Sequence, residues 1–178
     1  MAKTIAVAQR LLASVFVACM AGGVLAQEPG PTTPSTPRSV GGHVGIAVPL
    51  VMINEDDTDT IADNFVIANP IGIGFKLSER LVLDLEIIVQ NPVDPSGTTS
   101  LVVDPGLVYN FGAFAAGLRV ASVINQPSNV GLIPLINKGL VDLGDGVTWF
   151  VEAAFPMFVR SEAPDFTMDV VLHTGVGF

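Results

Sequence analysis

From Gly41 onward the chain alternates apolar and polar positions, and the alternation keeps restarting after short polar breaks. In "GIGFKLSERLVLDLEIIV", Ile71, Ile73, Phe75 and Leu77 share one parity, against Gly72, Gly74 and Lys76 on the other. After "SER", Leu81, Leu83, Leu85, Ile87 and Val89 share a parity, against Asp84 and Glu86. A period of two is the mark of a strand with two unlike faces. Eight such runs are predicted, roughly 41–53, 65–77, 80–90, 100–111, 114–124, 130–140, 147–159 and 168–178. Each is long enough to cross a bilayer as a tilted strand, which takes about 9–11 residues.

The breaks alternate in length. "NEDDTDTIADN" is long and acidic, "SER" is short, "NPVDPSGTT" is long, and Gly112-Ala113 is the minimum for a hairpin. "QPSN" is intermediate, a tight turn is built on "GDG", and "SEAPDF" is longer again. Short turns on one side and longer loops on the other are the habit of a membrane barrel. With eight strands in this phase, both chain ends fall on the short-turn side. The Gly112-Ala113 turn sets Phe111 opposite Phe114, Leu107 opposite Leu118, and Gly106 opposite Arg119.

Composition sharpens the choice between a soluble and a lipid-facing barrel. Of the 178 residues 49% are hydrophobic and only 14% charged, with a mean hydropathy of +0.58. Yet no apolar run of about 18 residues follows residue 26, so no spanning helix is expected beyond that point. The first 26 residues read as a cleaved export signal. Lys3 and Arg10 precede the apolar "LLASVFVACMAGGVL", and Val24 and Ala26 suit cleavage after Ala26. Cys19 would leave with that signal, removing the only thiol. A lipid-bearing Cys19 is the alternative, with Phe16 at a position where such signals usually carry Leu. Residues 27–40, rich in Pro, Ser and Thr, read as a flexible leader, and 41–178 as the barrel. Without Lys3 and Arg10, six basic residues face 17 acidic ones, a formal charge of −11. That balance argues against a nucleic-acid partner, which needs clustered Lys and Arg.

The two faces then orient themselves. One is nearly all Leu, Ile, Val and Phe; the other is Gly and Ala with sparse charges. The second suits the cramped interior of a small barrel, and the first suits lipid. The expected fold is all-β: a closed antiparallel up-and-down transmembrane barrel of eight strands. Phe75, Tyr109, Phe111, Phe114, Trp149 and Phe178 lie near short-turn ends, and Phe65, Phe155 and Phe158 near long-loop ends. These are the expected interfacial girdles.

The last run, "VLHTGVGF", places Val170, Leu172, Val176 and Phe178 on one parity, with Thr174 among them. It resembles the terminal strand of bacterial outer-membrane proteins. The span 41–178 resembles the small eight-stranded barrels of the outer membrane protein A and X type. That resemblance implies location in the outer membrane, with lipid and the barrel assembly machinery as partners. The assembly machinery would then recognise Val170, Leu172, Val176 and Phe178.

Lys76, Asp84, Glu86, Asp104, Arg119 and Glu152 fall on the inward parity and are expected to form a structural ion-pair network filling the lumen. Eight strands enclose an interior that side chains can fill, which argues against an open pore. His43 and His173 lie on the first and last strands, which become neighbours on closure, but spacing indicates no third metal ligand. Glu55, Asp56, Asp57, Asp59 and Asp63 give an acidic loop without the glycine or closing glutamate of an EF-hand. There is no G-x-S-x-G, and neither histidine has an evident nucleophile. The expectation is therefore no enzyme, no metal and no cofactor, with a structural or surface-interaction role and no identified loop ligand. The competing reading is a periplasmic lipocalin-like carrier, with Leu81, Leu83, Leu85 and Ile87 turned inward around an apolar ligand. A narrow ion pore and a lipid-modifying enzyme are lesser alternatives.

Overall fold

A computed structural model describes residues 39–54, 56–161 and 166–178 of the chain. The signal segment 1–26 with Cys19, most of the leader, Glu55 and residues 162–165 lie outside the described residues. Among the described residues ten strands appear, in the order β1 (Val40–Asn54), β2 (Thr58–Thr60), β3 (Phe65–Lys76), β4 (Leu81–Asp94) and β5 (Ser100–Asn110). They continue as β6 (Ala115–Ile124), β7 (Asn129–Gly144), β8 (Val147–Ala154), β9 (Met157–Arg160) and β10 (Phe166–Gly177).

Eight staves make a closed antiparallel barrel. β1 pairs with β3, each later stave pairs with the next, and β10 returns to β1 from His43↔Gly177 to Asn54↔Thr167. At the end of the seam, Gly42 N–H donates to Phe178 O at 2.8 Å and Phe178 N–H donates to Gly42 O at 2.9 Å. β8 and β9 form one stave between them, both pairing with β7 and β10. Closure leaves the barrel without an exposed sheet edge.

Register explains why the two faces stay distinct all the way round. The outer rows run Ile71↔Ile87↔Val103 and Phe75↔Leu83↔Leu107↔Leu118↔Pro134. The inner rows run Gly72↔Glu86↔Asp104 and Gly74↔Asp84↔Gly106↔Arg119. Directly opposed residues in antiparallel strands point to the same side, so one register error would invert a whole row. Leu85 and Ile87 accordingly face outward and are exposed. A carrier with these side chains packed round a central ligand is not the arrangement adopted.

Inside, the half towards the long loops holds most of the buried apolar side chains, with a pocket of only about 40 Å³ beside Pro49, Pro70 and Pro156. Val102, Ala121, Val123, Ile133, Leu135, Ala154 and Phe158 form one buried apolar cluster. The half towards the short turns is not filled. Small residues such as Gly42, Gly74, Gly139 and Ala115 leave a cavity of about 350 Å³ that reaches down to Asp84 and Arg119. The expectation of a lumen filled throughout by side chains is thus corrected. Glycine supplies too little volume to fill the short-turn half.

Other departures are local. Pro156 has no N–H and splits the seventh run into β8 and β9. Phe158 shares the inward parity of Glu152 and packs on Gly131, its register partner, so it belongs to the core rather than to a girdle. β4 and β7 extend further than the alternation suggests, to Asp94 and Gly144. A three-residue strand, β2, folds back on β1 within the acidic loop. Near it the β1–β10 register shifts between Pro49 and Val51, and Val170, paired with Val51, is buried where its parity suggests exposure.

Candidate functional site

Three inner rows converge on one layer of charge midway along the lumen. The first is Asp84 (β4), Gly106 (β5) and Arg119 (β6). The second is His43 (β1), Gly72 (β3), Glu86 (β4) and Asp104 (β5). The third is His173 (β10), Glu152 (β8) and Asn137 (β7).

Two glycines let side chains reach across a whole strand. A Cβ on Gly106 would stand 2.5 Å from Arg119 Cγ. Without it, the guanidinium passes over β5 and donates to Asp84 Oδ2 from Nη2 at 2.6 Å and from Nε at 3.0 Å. A Cβ on Gly72 would collide with the His43 imidazole. Without it, His43 passes over β3 and its Nε2 hydrogen-bonds Glu86 Oε2. His43 Nδ1 also stands 3.9 Å from Asp84 Oδ1.

Arg119 Nη1 reaches two more carboxylates, donating to Glu86 Oε1 and Glu152 Oε1 at 3.2 Å each. Asp104 Oδ2 is 3.9 Å from the same nitrogen, an ionic contact without a hydrogen bond. Glu152 is further held by Asn137 Nδ2 at 3.2 Å and by His173 Nδ1 at 3.4 Å. The His43 and His173 rings lie 5.9 Å apart, both edge-on to Phe150. Asp84, Glu86, Asp104, Arg119, Glu152 and His173 are all buried.

Of the six residues expected in the lumen network, five meet here. Lys76 does not. It is exposed at the end of β3, lines the cavity mouth, and makes no ion pair with a described residue. Its long stem carries the ammonium to water at the short-turn rim. The two histidines, by contrast, enter the network directly. Their inward parity was legible in the sequence, but their carboxylate partners were not: the His43–Glu86 contact skips a strand, and the His173–Glu152 pairing rests on a β8–β10 register that no tight turn sets.

The layer therefore holds four carboxylates against one permanent cation. Such a cluster is costly to bury unless it is well paired. Two groups are left over: both oxygens of Asp104 and Nε2 of His173 have no hydrogen-bond partner among the described residues. His43, Asp84 and Glu86 present ligand-type atoms within 4.8 Å of one another.

The acidic loop is organised differently. Its side chains cap its own backbone. Asn54 Oδ1 accepts from the Asp56 and Asp57 amides, at 3.0 and 2.7 Å. Asp57 accepts from the Thr58 amide at 2.8 Å. Asp63 Oδ2 accepts from Thr60 Oγ1 at 2.7 Å and from the Thr60 amide at 3.0 Å. Those two bonds to Thr60 hold the Asp63 carboxyl below the usual aspartate range. These carboxylates stabilise turns.

The expected short-turn girdle lies at the outer rim. Phe75, Tyr109, Phe111, Trp149 and Phe178 are exposed there, and Phe114 is half-buried, stacked on Phe111 at 5.1 Å. Trp149 Nε1 donates to Thr174 Oγ1 at 2.8 Å. In the last strand, Leu172 and Phe178 are exposed on the outer face and Val176 is half-buried.

Comparison with known proteins adds little beyond shape. No family model matches the chain, and no curated protein matches it. A solved structure from the de novo design of transmembrane β-barrels is similar over 80% of this chain and 97% of the designed one. Identity is 11% and the TM-score is 0.43.

Proposed function

We propose that this chain is an integral outer-membrane β-barrel of the outer membrane protein A and X type, with a structural or surface-interaction role and no catalysis. The observation that carries this reading is the outer wall. Every stave exposes large apolar side chains, among them Ile46, Ile71, Ile87, Leu107, Val120 and Leu132. Water-soluble monomers rarely expose contiguous apolar patches beyond a few hundred Å². A hydrocarbon surround removes that cost, and closure satisfies the backbone as lipid demands.

The aromatic rim supports one interface at the short-turn end, with Phe166 exposed at the other. Lipid is then the principal partner. The assembly machinery is the second, engaging β10 through Leu172, Val176 and Phe178 as the strand that closes the seam. The buried apolar cluster and the charged layer narrow the lumen, which supports a reading without a wide through-pore. Among the described residues no hydroxyl or thiol hydrogen-bonds either imidazole, whose partners are carboxylates.

The test is fractionation of cells expressing the full chain. The barrel should stay in the outer-membrane pellet through carbonate and high-salt washes and migrate differently on gels with and without boiling. Release by carbonate alone would overturn the reading.

A further inference from the structure

We propose that the charged layer beneath the short-turn cavity is a binding site for one divalent transition-metal ion, with His43, Asp84 and Glu86 as its protein ligands. One imidazole and two carboxylates make a mixed nitrogen–oxygen set suited to zinc-like ions. All three side chains stand on strands, and their ligand atoms already lie within 4.8 Å of one another.

The roles of the individual oxygens make the case specific. Arg119 takes Oδ2 of Asp84 and Oε1 of Glu86. The remaining oxygens, Asp84 Oδ1 and Glu86 Oε2, are the ones turned towards His43. Arg119 thus acts as an outer partner that fixes each carboxylate while leaving its other oxygen on the His43 side. Gly72 fixes the imidazole in the same way, by vacating the space the ring crosses.

A second observation is an unpartnered buried carboxyl beside the site. Asp104, the register partner of Glu86, is fully enclosed, and neither of its oxygens has a hydrogen-bond partner. The layer thus carries more acceptor oxygens than the single guanidinium serves, and an ion held by Asp84 and Glu86 would add a centre for them.

Access and coordination number fit as well. The cavity of about 350 Å³ runs from the rim to His43 and Asp84, so an ion can enter and water can complete its shell. On binding, the ion replaces the proton shared between His43 Nε2 and Glu86 Oε2, and that proton leaves to water.

The test uses the refolded full barrel in detergent micelles, stripped with chelator and titrated with Co²⁺. Saturation at one ion per barrel, with visible absorption bands, and displacement by Zn²⁺ are expected. In folded His43→Gln or Glu86→Gln barrels, affinity should fall by more than the roughly 10–100-fold typical of an outer-shell partner. The loop variant Asp57→Asn should bind as the parent does. Because a variant may misfold, the parent also carries a test of its own: Zn²⁺ should shift the His43 imidazole NMR signals and leave those of His173 nearly still. Absence of saturable binding, unmoved His43 signals, or binding lost in Asp57→Asn but kept in His43→Gln would each overturn the proposal. The titration needs only a folded barrel, so its outcome is separate from that of the membrane fractionation.

Discussion

Arg119 and Asp84 sit on strands that are not neighbours, yet they form an ion pair at 2.6 Å across the bare backbone of Gly106. Removing the guanidinium would strand Asp84, Glu86, Glu152 and Asp104 together. Breaking a buried pair from one side costs about 3–5 kcal/mol. Arg119→Ala should therefore lower the unfolding midpoint in urea by a corresponding amount, measured by gel mobility in lipid vesicles. An unchanged midpoint would mean the layer does not stabilise the fold. Arg119→Lys should recover only part of the loss, since one ammonium cannot serve Asp84, Glu86 and Glu152 as the guanidinium does.

Gly106 itself predicts a contrast with Gly112. A methyl at Gly106 meets Arg119 Cγ and Leu118 O, both at 2.5 Å, and neither the backbone nor the anchored arginine can retreat freely. Overpacking of this kind costs about 1–3 kcal/mol. A methyl at Gly112 meets nothing within 4 Å, and its cost comes only from the left-handed backbone, φ +97°. That cost is nearer about 1 kcal/mol. Equilibrium unfolding of Gly106→Ala and Gly112→Ala should show the first as the more damaging; the reverse order would contradict the crossing geometry.

How far the sequence reveals all this depends on the range of the contact. Parity and turn length set the eight runs, and the two-residue turn at Gly112-Ala113 sets the pairing of Gly106 with Arg119, which the structure has. Nearest-neighbour rows follow from such turns. Contacts that leap a strand do not, so neither Arg119–Asp84 nor His43–Glu86 was legible. Nor was the exclusion of Lys76, whose parity is right but whose height on β3 leaves it at the rim. Phe158 was misplaced for the opposite reason: its height was used and its inward parity was not. Pro156 did carry a legible signal, since a residue without an N–H seldom continues a central strand.

Thr174 interrupts the apolar series of β10 because it has work at the rim. It accepts the indole N–H of Trp149 and donates to the Phe150 carbonyl at 2.9 Å. Thr174→Val should leave the indole unpartnered and cost about 0.5–1.5 kcal/mol. Trp149 is the only tryptophan, so its fluorescence reports directly. In vesicles, lipids brominated near the headgroups should quench it more than lipids brominated near the chain ends. The reverse order would place this rim at the bilayer centre and contradict an interfacial band.

Asp63 gives the one pH dependence that can be read from a loop. Its carboxyl is held below the usual aspartate range by Thr60. A lowered folded value means the contribution is present above the ordinary aspartate pKa, about 3.9, and is lost as pH falls through the lower folded value. The Thr60 amide NMR shift should therefore titrate with a midpoint below that ordinary value, and flatten in Asp63→Ala. A midpoint at or above it would show that the Thr60 bonds do not persist in solution.

Phe178 closes the seam with two backbone hydrogen bonds to Gly42, while its ring stays half exposed. Phe178→Ala keeps both bonds. Refolding yield in micelles should then be nearly that of the parent, whereas the amount of folded barrel in cells should drop if the assembly machinery reads this strand. Equal yields in both settings would remove that role from Phe178.

The charged layer is met by two spaces of unequal size, the cavity of about 350 Å³ at the short-turn end and a pocket of about 40 Å³ beside Pro49, Pro70 and Pro156. Both reach Arg119 and Glu152, so the layer stands between them as a partition made of charge. A solute entering by the wider side meets Lys76 at the mouth before it meets Asp84 and Arg119, and the order of those charges acts as a filter of sign.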